Sequence, residues 1–227
     1  MRPQPPASPT ASGQGALQQA AADLRFLLER GYPRQNSLAL VGDRHGLDAR
    51  ARHLLRRGVY SPQAAQVRRA RLLGLGQTAG RAVAVDGHNV LITLENALAG
   101  RDLVLCDDGV IRDIAGAGVN HRPGELTLRA AAMLFKALAR AAEVLVLLDA
   151  PISQSGELAA SLRGMMAEAG LAGQARAVPV PERELTSHPG PVASSDSQLL
   201  DLVTEPLDLA GTIIMTMNPA PTLVRLG

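Results

Sequence analysis

The chain reads as an α/β protein: a small N-terminal helical module, then a mainly parallel sheet flanked by helices. Three observations lead there. Apolar residues recur at helical spacing through the first third of the 227 residues. From Arg81 onward, short β-rich apolar runs alternate with helical segments, the pattern of βα units. Finally, Asp86, Asp149 and Asp196 each stand where such a run passes toward a helix.

Residues 1–15, rich in Pro, Ser, Gly and Gln, predict a disordered tail. Apolar residues at 17, 20, 21, 24, 27 and 28 predict a helix that Gly31 ends. Pro33 opens a second helix, over 34–41, and Asp48 N-caps a third that runs to Arg57. Ser61-Pro62 starts a fourth, which stops near Gly74. Residues 16–75 therefore form an Arg-rich helical module and residues 81–227 the α/β domain.

Within that domain residues 82–85 form the first strand, and Asp86-Gly87-His88-Asn89 lead into a helix. Residues 102–114 hold two β-rich runs around Asp107-Asp108-Gly109, a hairpin signal or a bulged strand. A Gly-rich loop with His121 and Arg122 precedes an apolar helix over 125–141. Residues 143–149 are the clearest buried parallel strand. Ser153 or Ser155 can cap the following helix and present free N–H groups to a phosphate. Residues 175–180 predict a further strand, residues 181–191 an excursion at the rim, and residues 212–217 an edge strand.

Composition narrows the chemistry. The aromatics are only Phe26, Phe135, Tyr32 and Tyr60, which argues against a base-stacking platform. Cys106 is the sole cysteine, so no intramolecular disulfide or multi-Cys zinc site can form. No run approaches membrane-spanning length, and no apolar signal region opens the chain; a cytoplasmic protein with no membrane partner is expected. Residues 1–75 carry twelve Arg against four acidic residues, a net charge of +8, whereas residues 76–227 carry a net charge of −6. A basic module that grips a polyanion, with Arg56, Arg57 and Arg68 in contact, would suit an acidic module that holds metal.

In a parallel sheet, strand ends from distant parts of the sequence share one edge, so Asp86, Asp149 and Asp196 are expected to converge. Asp113 joins them as a candidate because a carboxylate inside a β-rich run is unusual. Clustered carboxylates repel unless a cation neutralises them, and hard oxygen ligands favour Mg²⁺ or Mn²⁺.

Asp86-Gly87-His88-Asn89 resembles the DGxN signature of NYN-type PIN-like nucleases, and Ser194-Ser195-Asp196-Ser197 resembles their later S-x-D-x-D motif. The resemblance implies a PIN-like three-layer α/β/α fold and metal-dependent hydrolysis of RNA. In such a ribonuclease Asp86, Asp149 and Asp196 would act in catalysis, and Asp86 and Asp196, completed by Asp113 and Asp149, would hold the metal. Asn89, Ser153, Ser155 and Ser195 would contact substrate. The chain departs from the pattern at Gln198, where the motif has its last acid. The whole chain also resembles an uncharacterised prokaryotic two-domain family that begins with the domain of unknown function no. 434. Three segments carry that match, Arg30-Gly31-Tyr32-Pro33, Val41-Gly42-Asp43-Arg44 and Arg56-Arg57-Gly58-Val59-Tyr60-Ser61, with residues 149–156 in the second half. Two other readings compete with the ribonuclease: a non-catalytic RNA- or nucleotide-binding protein, and a small-molecule phosphohydrolase that holds phosphate at residues 153–156.

Overall fold

The computed structural model describes residues 11–114 and 122–227, with side chains from residue 15. The chain opens with α1 (Ala11–Glu29), α2 (Arg34–Arg44), α3 (Ala49–Gly58) and α4 (Pro62–Arg71). A 3-10 turn at Leu75–Thr78 leads to β1 (Ala82–Asp86), α5 (Gly87–Leu98), β2 (Leu103–Leu105) and β3 (Ile111–Asp113). Next come α6 (Glu125–Ala137), β4 (Glu143–Asp149), α7 (Ser155–Glu168), β5 (Gly173–Val178) and α8 (Pro181–Ser187). The chain finishes with β6 (Val192–Ala193), α9 (Ser197–Leu202), β7 (Pro206–Leu207), α10 (Leu209–Ile214) and β8 (Leu223–Arg225). Residues 1–10 of the expected tail and His121 lie outside the described residues; residues 11–15, also read as tail, belong to α1.

Contacts divide the chain into two compact units, and the division differs from the linear split read from sequence. The first unit takes the chain up to Arg69, Arg101–Ile114 and Leu223–Gly227. The second takes Ala70–Gly100 and the described residues onward to Thr222. The hairpin is thus part of the helical module.

In the first unit, β2 pairs antiparallel with β3 and parallel with β8. Gly109, at a positive φ of 82°, makes the turn of the β2–β3 hairpin. Leu24, Leu54, Leu55, Val59 and Ala65 share a core with Val104, Cys106 and Leu226. The helices start where sequence placed them: the Asp48 side chain accepts Ala51 N–H at 2.7 Å, and Ser61 Oγ accepts Ala64 N–H at 3.3 Å.

Charge explains why the hairpin docks on these helices. All four of its aspartates meet a guanidinium of the module: Asp102 pairs with Arg50, Asp107 with Arg25, Asp108 with Arg68 and Asp113 with Arg57. Asp107 takes two bonds from Arg25, at 2.8 and 2.7 Å, and one from Tyr60 N–H at 3.0 Å. Asp108 is fully buried and also receives both Nη groups of Arg112, at 2.7 and 2.8 Å. Burial alone would push its carboxyl up; the bonds and charge of Arg112, then Arg68, hold it below the usual range instead. Arg68, Arg34 and Arg112 also face the Tyr60 ring, at 4.4, 4.8 and 5.3 Å.

The second unit is a five-stranded, wholly parallel sheet in the order β5-β4-β1-β6-β7. Central β1 has later strands on both sides, so the strand order reverses there, as at a topological switch point. Helices α5 and α7 pack on one face of the sheet, with α6 and α10 against α5, while α8 and α9 pack over Ala84, Leu147 and Val192 on the other. Residues 212–217, read as an edge strand, form no strand: 212–214 are the last turn of α10 and 215–216 turn out of it. Asp208 caps that helix through Gly211 N–H at 2.8 Å, and Ile213 and Ile214 are buried; β-branched residues follow the burial that tertiary packing offers.

Candidate acidic site at the carboxyl edge of the sheet

Asp86 is level with Leu147 on β4, and Val85 is level with Ala193 on β6. Asp149 therefore follows two residues beyond Asp86 on one side, and Asp196 two beyond on the other. The parallel sheet brings the three aspartates to one edge, as expected from sequence.

Every residue of the Asp86-Gly87-His88-Asn89 junction has a physical reason. Gly87 opens α5 where it crosses β4; a Cβ there would lie 2.8 Å from the Leu147 carbonyl oxygen and 2.6 Å from Leu148 Cδ2. His88 is buried, and its Nδ1 accepts Asp149 N–H at 2.9 Å. Asn89 Oδ1 accepts Ser195 N–H at 3.1 Å and the Ser195 hydroxyl, which ties the Ser194–Asp196 segment to α5. Asp86 Oδ2 accepts the Ser194 hydroxyl at 2.8 Å, and Ser194 Oγ in turn accepts Asp196 N–H at 3.0 Å.

Asp86 is partly buried, and its carboxyl is pushed up to about 7. Burial is the largest cause; the carboxylates of Asp149, Asp196 and Glu182 raise it further, against the Ser194 hydrogen bond. No guanidinium or ammonium among the described residues pairs with Asp86 or Asp196. Asp86 Oδ1 and Asp196 Oδ2 have no protein partner among the described residues, since Asp196 Oδ1 is taken by Gln198 N–H and Leu199 N–H at 2.8 and 3.0 Å.

His88 also lies 3.2 Å from Asp149 Oδ2 and 3.5 Å from Ser155 Oγ, which superficially resembles a Ser-His-Asp relay. The Ser155 hydroxyl is committed to backbone carbonyls rather than to the imidazole. Ser155 Oγ lies 2.6 Å from the carbonyl oxygens of both Asp149 and Ile152.

Several expected site residues lie elsewhere. Asp113 is buried in β3 of the first unit beside Arg57, so its place in a β-run reflects an ion pair and it does not belong to the sheet edge. Arg57 and Arg68 are committed to Asp113 and Asp108; Arg56 stays exposed. Ser155 and Ser195 are buried and turned inward, and cannot serve as surface phosphate ligands. Ser155 is the first residue of α7 and Gln154, with φ 63°, precedes it, so neither serine caps the helix; Ser153 is exposed. Asn89 spends its oxygen on Ser195. Among the described residues, no group of three or more His, Cys, Asp or Glu is arranged to hold a metal ion.

Sequence reasoning gave Ser194 no role beyond opening the S-x-D-x-D match, and it passed over Glu182. Glu182 follows β5 at the start of α8 and repeats the strand-then-acid pattern of the other three.

No helix among the described residues is long and apolar enough to cross a membrane. Residues 16–71 match the model of a protein family of unknown function, DUF434, and residues 75–212 that of a domain of unknown function, DUF5616. An uncharacterized protein of Methanocaldococcus jannaschii, MJ0935, is 29% identical over 186 residues, which span 82% of this chain and 89% of that protein. No solved structure matches the chain. With more than half its length under the second of these models, the chain belongs to the DUF5616 family, and it carries a DUF434 region ahead of that domain.

Proposed function

We propose that the sheet edge is a divalent-cation-dependent phosphodiesterase site of PIN-like type and that its substrate is RNA. The observation that carries this reading is Asp86 itself. It is a partly buried carboxyl at the switch point of a parallel sheet, with acids on both flanks and, among the described residues, no basic side chain paired with it. Its resemblance to the DGxN junction of NYN-type nucleases supports RNA as the substrate.

The donor set fits Mg²⁺ or Mn²⁺. Magnesium is commonly held by one or two carboxylates, with waters and substrate phosphates completing its shell, so a three-carboxylate cage is not needed. Asp86 Oδ1 and Asp196 Oδ2 are the oxygens that would hold it. When bound, such a cation polarises a phosphoryl oxygen and lowers the pKa of a coordinated water. Ser194 fixes the Asp86 carboxylate by holding Oδ2, so the other oxygen faces outward. The Asn89–Ser195 clamp keeps Asp196 beside it. His88 holds the Asp149 backbone, which places that carboxylate to orient a water. Asp86 acts as the anion, so activity rises as pH passes about 7.

The test is hydrolysis of single-stranded and structured RNA with Mg²⁺ or Mn²⁺ by wild type and Asp86→Asn. Asn preserves an acceptor for Ser194, and Asp86 makes no side-chain capping bond to α5, so the fold should persist. The expected loss is roughly hundredfold or more. Equal rates in the two proteins would overturn the assignment. One observation favours a second reading, an RNA- or nucleotide-binding role without cleavage: Gln198 is exposed where the resembled motif has an acid. That reading predicts metal-independent binding that survives Asp86→Asn.

A further inference from the structure

We propose that the first unit contains a binding site for a phosphate monoester of nucleotide size, independent of the acidic sheet edge. A cavity of about 470 Å³ opens among α1, α4, the β2–β3 hairpin and β8. Small-molecule sites commonly occupy about 300–1,000 Å³, so its size suits a nucleoside monophosphate.

Its walls carry three guanidinium side chains, Arg25, Arg69 and Arg225, and one side-chain carboxylate, Asp107. Asp107 is already engaged by Arg25 and Tyr60 N–H. Arg25 is bound through Nε and Nη2, which leaves Nη1 on the side of Gly227. Arg69 makes only a long 3.4 Å bond to the Ala65 carbonyl, and Arg225 has no ion pair among the described residues. Both are exposed. Two guanidinium charges therefore border the cavity without a carboxylate partner. A phosphate monoester carries a charge of about −1.5 to −2, and its oxygens match the guanidinium fork. The remaining wall includes Pro62, Ala65 and Leu105, an apolar surface for the body of the ester.

A free nucleotide and the 5′-phosphorylated end of an RNA strand share this chemistry. The experiment is equilibrium binding of 5′-AMP, and of one short oligoribonucleotide with either a 5′-phosphate or a 5′-hydroxyl, to the full chain. Wild type is compared with Arg69→Ala/Arg225→Ala and with Arg129→Ala, an exposed arginine of α6 that serves as a charge control. Binding of 5′-AMP marks a free nucleotide as the source; preference for the 5′-phosphorylated strand marks an RNA end. In either case the double variant should weaken binding at least about tenfold, Arg129→Ala should leave it unchanged, and inorganic phosphate should compete. Asp86→Asn should bind as wild type does, which separates this site from the proposed catalytic one. No binding by wild type, equal binding of the two strands with none of 5′-AMP, or an unaffected double variant would each overturn the proposal.

Discussion

The aspartates of the β2–β3 hairpin and those at the edge of the parallel sheet are the same residue type in opposite electrostatic settings. Each hairpin aspartate meets an arginine, and the most buried of them, Asp108, holds two. Asp86 faces acids from β4, from the start of α9 and from α8, and among the described residues pairs with no arginine. One carboxyl is held below its usual range and the other is raised to about 7. A carboxylate that completes an ion pair contributes to the fold. One left uncompensated costs stability, and a chain that keeps it there has reason to bind a cation.

The largest stability effect is expected from Asp108→Ala. It would leave Arg112, 1% exposed, without its bidentate partner and cost about 3–5 kcal/mol, read by urea unfolding. Because the Asp108 carboxyl is held low in the folded state, its contribution is complete above the unfolded value near pH 4, and it fades as pH falls through the lower folded value. Asp86 has the opposite sign. Its raised folded value means that stability falls as pH rises from about 4 to about 7. Asp86→Asn should therefore stabilise the protein by about 2–4 kcal/mol at pH 8 and by nearly nothing at pH 4. A destabilised Asn variant at pH 8 would break the contrast. Asp102→Asn should do least: its pair with Arg50 is partly exposed, and its loss should cost about 1 kcal/mol or less in the same unfolding assay.

Much of this was legible in the sequence. The βα alternation exposed the parallel sheet, and strand-then-acid junctions located Asp86, Asp149 and Asp196. The Gly of the junction showed where a helix crosses a strand closely. Long-range pairing was not legible. Residues 102–114 follow β1 and α5 in sequence yet join the helices, because Arg25, Arg50, Arg57 and Arg68 supply the partners for their aspartates. The same pairs withdraw Arg57 and Arg68 from the surface that sequence had offered to RNA. Nothing local distinguishes an arginine destined for a buried aspartate from one facing solvent. Similarly, Ser155 and Ser195 carry the residue type of a phosphate ligand, but their hydroxyls are turned to carbonyl and amide oxygens inside the fold.

The account rests on the claim that the sheet edge is an unneutralised acidic site for a divalent cation. Its most direct test is calorimetric titration of Mn²⁺ into wild type and Asp86→Asn across pH 6 to 8. Saturable binding should strengthen with pH through about 7, with protons released, and should be lost in the variant. Absence of binding by wild type, or an isotherm unchanged by Asp86→Asn, would contradict it.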